Sequence, residues 1–306
     1  MEKVDRIIKD TLAILCENNG SHVSFDERLA GHSTMFIGGS VSAWYVPATP
    51  EELRETVVLL HDAGVRTFVI GNGSNVLMPD GHMDAVAINL ASEYFTHKKF
   101  DGCEVSVGAG EKLAPFISLC CARGLSGLEG LVGIPGTIGG ALVMNAGYKS
   151  AISNCLVRVK FIDDKGNIRN LEKRGISFGY RRSSFNKEDI IIEAVFGLKE
   201  MPLSELREKM QGFFLEKLRS QPLDQKTLGC IFKNPKNSKY KSAELIEKAG
   251  MKDAGCGGAV ISQKHANFIV NSGNASAKEV KTLIREVRDK VRTDFSIDLV
   301  PEIEVL

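Results

Sequence analysis

Three short segments carry side chains suited to acid–base or anion chemistry. In Phe178-Gly179-Tyr180-Arg181-Arg182-Ser183-Ser184-Phe185 an arginine pair sits beside a tyrosine and two serines. A guanidinium presents paired donors that match a carboxylate or a phosphate; the alternative is a solvated turn. In Gly229-Cys230-Ile231-Phe232-Lys233-Asn234-Pro235 a thiol follows glycine and precedes Lys and Asn. A thiol titrates near about 8.5 and so can donate a proton at neutral pH; the alternative is a buried structural cysteine. In Pro301-Glu302-Ile303-Glu304 alternation predicts a strand with both carboxylates on one face. A carboxylate there could polarise a substrate or a water; the alternative is a pair of surface charges.

Two glycine-rich loops stand beside these segments. Residues 127–147 hold seven glycines in 21 positions and not one positive charge. Glycine costs about 1 kcal/mol per interior helical site relative to alanine, so no ordinary helix is expected there. What glycine provides is positive φ and a bare backbone that another group can approach. Glycines 130, 133, 136 and 139 are spaced by three, but the register breaks at once and only Pro135 fills an intervening position, which excludes a collagen helix. The second loop, Gly71-Asn72-Gly73-Ser74-Asn75, follows the apolar run Thr67–Ile70. Neither loop carries a P-loop lysine. Together they point to a large phosphate-bearing cofactor held by backbone N–H groups; the alternative for either alone is a plain connecting loop.

The elements that must position these groups follow from pattern. A helix is expected over 3–17, from Val4, Ile7, Ile8, Leu12 and Leu15. A second starts at Thr49-Pro50-Glu51-Glu52, with Thr49 as cap, Pro50 in the first turn and Glu52 completing a capping box; Gly64 ends it. The strand Thr67–Ile70 comes next. Strands are expected at Ala85–Asn89, Glu104–Val107, Val157–Ile162 and Ile190–Val195, with a hairpin turn at Asp164-Lys165-Gly166-Asn167 and one helix over 111–123. Beyond Glu200-Met201-Pro202 helices are expected at 204–219, 242–249 and 276–294. The last opens with the capping box Ser276-x-x-Glu279 and carries the stripe Val280, Leu283, Ile284, Val287 and Val291. Residues 295–306 read as a terminal strand. This gives three parts: 1–78, 79–200 and 201–306.

The 306 residues carry 39 Lys+Arg against 38 Asp+Glu, so no broad basic field is available for nucleic acid or an anionic membrane. No apolar run reaches the length of a membrane span, and the charged start, Met1–Asp10, shows no signal peptide. Seven cysteines without a C-x-x-C pair disfavour a metal site or a disulfide framework and fit a reducing cytoplasm. Cys120 and Cys121 are expected in the core. The six histidines make no metal pattern, and His265 is expected to be a satisfied structural residue.

Taken in order, the segments resemble the UDP-N-acetylenolpyruvoylglucosamine reductase family almost end to end. The matching stretches are Thr34–Gly39, Gly71–Leu77, Gly127–Gly147, Phe178–Phe185, Gly229–Pro235, Gly257–Asn267 and Pro301-Glu302. The short form resembles the family's second structural type. The resemblance implies an α+β protein: a two-part FAD-binding domain of the vanillyl-alcohol-oxidase (PCMH) kind over 1–78 and 79–200, and a substrate-binding α+β domain over 201–306. It implies reduction of an enolpyruvyl UDP-sugar by NADPH through FAD, in cytoplasmic peptidoglycan precursor synthesis. It implies FAD contacts from Gly71, Asn72, Gly73, Ser74, Asn75, Val76, Gly133, Pro135, Gly136, Thr137, Gly139, Gly140 and Asn145. Arg181 resembles the residue that holds the substrate carboxylate and Glu302 its acidic partner. Tyr180 and Asn234 resemble substrate contacts, and Lys252 the lysine near the UDP diphosphate. A monomer without metal, nucleic acid or membrane partner is expected.

The chain departs from the family at two positions. The usual proton donor is a serine, and here it is Cys230. A thiol is the better acid, so proton transfer remains feasible, although a thiol is also open to oxidation. A basic residue often precedes Gln221-Pro222-Leu223, and here Ser220 does. Two other readings compete. A flavin oxidase of the same superfamily would lack the late motifs, Gly229–Pro235 and Pro301-Glu302. A non-catalytic relative would have lost the acid.

Overall fold

The computed structural model describes residues 6–9, 11–12 and 20–306. Most of the helix expected over 3–17 lies outside them; residues 6–9 and 11–12 are helical, with Ile8 and Leu12 buried. The chain divides into two compact units. One comprises residues up to Glu27, Val41–Asn72 and Asp84–Leu215; the other comprises Arg28–Ser40, Gly73–Met83 and Glu216–Leu306.

The first unit holds two sheets. A four-stranded sheet runs His22–Arg28, Ser40–Val46, Met83–Ile88, Arg66–Val69, the last two strands parallel. The helix Pro50–Asp62 leads into Arg66–Val69. Thr49 caps it by accepting from the Glu52 amide at 3.3 Å. The expected capping box is modified: Glu52 reaches past the cap to the Ala48 amide and accepts from the Tyr45 hydroxyl at 2.9 Å. A buried tyrosine needs a hydrogen-bond partner, and that demand redirects the carboxylate.

The second sheet is antiparallel, in the order Ile168–Glu172, Leu156–Ile162, Ile190–Gly197, Glu104–Gly108, Lys98–Asp101. The hairpin at Asp163–Asn167 closes as the turn residues require, with Gly166 at φ 76°. The helix Leu113–Ala122 packs Phe116, Ile117, Cys120 and Cys121 into the core. Burial pushes the Cys120 thiol to about 12 and the Cys121 thiol to about 11, as inert core thiols require.

The long glycine segment differs from expectation. It contains a short helix, Ile138–Val143, despite Gly139 and Gly140. Thr137 caps it, accepting from the Gly140 amide at 3.4 Å, and the Gly139 amide donates to the Ala109 carbonyl at 2.8 Å. A Cβ on Gly139 would lie 3.1 Å from that of Ala109, so close packing here needs the glycine.

The second unit centres on an antiparallel sheet, Thr227–Cys230, Phe268–Asn271, Ala259–Ile261, Gly255–Cys256. The helix Ala277–Phe295 lays Val280, Leu283, Ile284, Val287 and Val291 into its core, with the expected Ser276/Glu279 capping box. Full burial of each such side chain stabilises by about 1.5–3 kcal/mol. Asp80 adds a cap from far away in sequence: its two carboxylate oxygens accept from the Ala277 and Lys278 amides at 2.6 and 3.0 Å. The expected terminal strand over 295–306 is much shorter. The helix runs to Phe295 and stops on Ser296 at φ 56°, and only Glu304–Val305 is a strand, parallel to Val76–Leu77. Pro301 lacks a donor and pairs with Phe232 as a single bridge.

Candidate active site

In the first unit the two glycine loops meet. A Cβ on Gly71 would lie 2.5 Å from Thr137 Oγ1, so a side chain there would displace that of Thr137. Asn89 holds the start of the loop, donating to the Ile70 and Gly71 carbonyls at 2.8 and 3.2 Å. Gly133 and Gly136 adopt positive φ, at 71° and 130°. The Gly136 carbonyl accepts from the Leu113 amide at 3.0 Å, which fastens the long loop to the helix Leu113–Ala122.

Arg181 sits at the tip of a two-residue hairpin. Gly179 pairs with Arg182, leaving Tyr180-Arg181 as the turn, and Arg181 has φ 53°. A non-glycine residue in that region costs of order 1–3 kcal/mol and persists where its surroundings determine it. Here they do. Arg181 Nη2 donates to the Gly147 carbonyl at 2.8 Å, Asn145 Nδ2 to the Gly179 carbonyl at 2.9 Å, and Ser183 Oγ to the Val143 carbonyl at 2.7 Å. The hairpin is thus docked along the exit of the long glycine loop.

In the second unit the backbone just after Cys230, Glu302 and residues 73–75 of the short glycine loop come together. The segment after Cys230 runs between two partners. The Ile231 amide donates to the Asn267 carbonyl at 2.9 Å, and the Glu302 amide donates to the Ile231 carbonyl at 2.7 Å. The Glu302 carbonyl in turn accepts from Asn75 Nδ2 at 3.3 Å, and the Glu304 amide donates to the Asn75 carbonyl at 2.9 Å. Gly73, at φ 56°, lies so close to the His32 carbonyl that a Cβ would stand 1.9 Å from its oxygen.

Asn234 and Lys252 are placed in the same unit with local partners. Asn234 Oδ1 accepts from the Ser242 amide at 3.0 Å, at the start of the helix Ser242–Lys248, and Lys252 Nζ lies 2.7 Å from Glu247 Oε1. His265 departs from expectation: its Nδ1 is buried without a hydrogen-bond partner among the described residues, and burial lowers its pKa. Among those residues no cluster of His, Cys, Asp and Glu could hold a metal ion.

Whether these loops suit a flavin nucleotide can be tested on their polar atoms. Asn145 is 8% exposed, and its Oδ1 is buried with no partner among the described residues, as is Ser150 Oγ. Buried acceptors are rarely left unpaired in native proteins, and a ligand hydroxyl or N–H group would complete Asn145. The polar chain of a dinucleotide supplies such donors, so the residues present fit.

Known proteins decide the family. The chain is 37% identical over 286 residues to UDP-N-acetylenolpyruvoylglucosamine reductase of Halalkalibacterium halodurans, covering 93% of this chain and 94% of the relative. It is 35% identical to the Bacillus subtilis reductase over 100% of this chain and 99% of that one. The chain belongs to the UDP-N-acetylenolpyruvoylglucosamine reductase family. The C-terminal domain of these reductases matches residues 221–306, and an FAD binding domain matches residues 41–172. The crystal structure of the Thermus caldophilus reductase superimposes with a TM-score of 0.79 at 34% identity, over 93% of this chain and 98% of its own. Two variants of Phl p 4, a glucose oxidase and a glucose dehydrogenase, reach 0.50 at 12% and 13% identity and share the fold alone. The chain is therefore an α+β flavoprotein oxidoreductase that binds FAD through a domain of the vanillyl-alcohol-oxidase kind. No helix among the described residues is long and apolar enough to cross a membrane.

Proposed function

We propose that this chain reduces UDP-N-acetylenolpyruvoylglucosamine to UDP-N-acetylmuramate with NADPH as the co-substrate, as a monomer in the cytoplasm. The observation that carries this reading is the Glu302–Ile231 hydrogen bond, which sets an acid beside the segment bearing Cys230, with Asn75 on the far side of Glu302. The chemistry that FAD would supply when bound is hydride transfer from NADPH to C3 of the enolpyruvyl double bond. The chain's own residues handle the charge and the proton. Negative charge develops at C2 and spreads into the substrate carboxylate. Arg181, preset in its strained turn, holds that carboxylate where the charge appears, and a preorganised donor needs no reorganisation at that moment. The Cys230 thiol delivers the proton to C2, and Glu302 is the acidic partner that hydrogen-bonds the same centre.

Tyr180 and Asn234 contact the substrate, and Lys252 meets its diphosphate. Residues 71–76, 133, 135–137, 139, 140 and 145 line the FAD, the glycines through bare backbone. Residues 1–78 and 79–200 serve the cofactor and 201–306 the substrate.

The test is optical. Purified protein should be yellow, its flavin absorbance bleached by NADPH and restored by the enolpyruvyl nucleotide. Colourless protein that takes up no added FAD, or reduced protein that the nucleotide leaves bleached, overturns the reading.

A further inference from the structure

We propose that Asn267 is a positioning residue for proton delivery: its side chain acts as an extra peptide unit that fixes the backbone between Cys230 and Lys233. The inference rests on the reaction proposed above.

The geometry is unusual for a side chain. Regular pairing of Thr227–Cys230 with Phe268–Asn271 ends at Cys230, opposite Phe268. Phe232 lies beyond it and is 2% exposed, so its amide and carbonyl need partners. Asn267 supplies both. Its Oδ1 accepts from the Phe232 amide at 2.9 Å, and its Nδ2 donates to the Phe232 carbonyl at 2.8 Å. Its own carbonyl accepts from the Ile231 amide at 2.9 Å. Asn267 is itself 3% exposed. The other edge of the segment is held by the Glu302 amide on Ile231 and by the Lys233 amide, which donates to Val300 at 2.8 Å.

One side chain thus sets the backbone torsions two residues from the thiol and one residue from the carbonyl that aligns Glu302. The catalytic demand is positional, because a misplacement of about 1 Å can cost on the order of 10²-fold in rate. A primary amide suits both backbone groups, with an acceptor for the N–H and a donor for the C=O. Leucine would supply neither. Aspartate would accept from the Phe232 amide but set a second oxygen against the Phe232 carbonyl, and protonation would restore the missing donor.

The test uses FAD-loaded full-length protein. In Asn267→Ala, flavin reoxidation by the enolpyruvyl nucleotide should fall about 10²-fold, with flavin reduction by NADPH within about twofold of wild type. Asn267→Asp should show the same defect at pH 8 and, relative to wild type, recover about tenfold on acidification to pH 5.5: position 267 is buried, burial raises a carboxyl above its ordinary value of about 3.9, and the protonated acid regains a donor. Alkylation of Cys230, followed by peptide mass spectrometry, should change rate severalfold in Asn267→Ala, and this readout needs no turnover. Reoxidation within threefold of wild type in folded Asn267→Ala overturns the inference, as does equal loss in both half-reactions. If the alanine variant does not fold, Asn267→Asp decides: recovery on acidification supports the inference, and a flat ratio to wild type overturns it. Wild-type protein that the nucleotide fails to reoxidise overturns the proposed reaction instead, and Cys230 alkylation then decides the positioning role.

Discussion

The Glu302 amide donates to the Ile231 carbonyl at 2.7 Å, one residue past Cys230. The segments that carry acid and thiol are therefore registered through the backbone. Substitutions of either side chain can be read as chemistry, since the hydrogen bond that aligns them survives. Cys230→Ser should keep turnover within about tenfold, and Cys230→Ala should lose about 10²–10⁴-fold, the range of a general acid. Iodoacetamide should inactivate the wild type and spare Cys230→Ser; inactivation of both at equal rates would move the sensitive thiol elsewhere.

Arg181 is both strained and charged, and two variants separate these roles. Arg181→Ala should slow substrate-driven flavin reoxidation by about 10²–10³-fold, the scale of a lost charge-stabilising donor, with NADPH-driven reduction little changed. Arg181→Gly should lose the same rate. Relative to Arg181→Ala it should melt higher by the equivalent of about 1 kcal/mol, because glycine adopts φ 53° without penalty. Thermal melts of the pair decide the second point.

Gly71→Ala should abolish or sharply weaken FAD binding. The new Cβ would stand 2.5 Å from Thr137 Oγ1, so the Thr137 side chain and the cap it makes on Gly140 must shift. The measurement is the ratio of flavin to protein absorbance after purification. Full flavin content in Gly71→Ala would show that Thr137 yields at no cost to the site.

Asp80→Ala removes a carboxylate that accepts from two helix-start amides. Loss of such a cap costs about 0.5–2 kcal/mol. A lowered urea midpoint with an unchanged slope is the expected result.

Acid stability should depend on Asp163. Burial opposes its ionisation, but the Arg169 guanidinium and the Asn167 and Lys165 amides together hold its pKa at about 2. The unfolded chain therefore takes up this proton first as pH falls. The stabilisation is complete above the ordinary carboxylate value of about 3.9 and is lost as pH drops from there toward 2. Asp163→Asn should flatten the stability curve in that window and leave its shape at pH 6–8 unaltered; an unchanged acid limb would refute the assignment.

Much of this architecture was legible because particular residues allow few alternatives. Thr49-Pro50, Ser276-x-x-Glu279 and the Asp164–Asn167 turn each specify a local geometry, and each is found where expected within a residue or two. The misreadings share a cause: hydrogen-bond partners that local propensity does not count. Gly139 and Gly140 argue against a helix by propensity, but Ala109 and Thr137 anchor one. Glu52 leaves its capping box for Tyr45. The continuous run Ser40–Val46, strand-like in composition, is buried in its sheet without the alternation that marks a half-exposed strand. Of the proposed site, Cys230, Arg181 and Glu302 are legible as reactive side chains within two residues of glycine or proline. Asn267 was visible only as one more polar residue beside His265, because its role depends on a backbone 35 positions away.

The bond from Asn75 to Glu302 spans 227 residues. At roughly 5–20 residues per second of synthesis, the first loop waits about 10–45 s for its partner to leave the ribosome. The Asn75–Glu302 bond is consequently among the last contacts of the second unit to form during synthesis. A nascent chain stalled before Glu302 would leave the Asn75 side-chain amide without this acceptor.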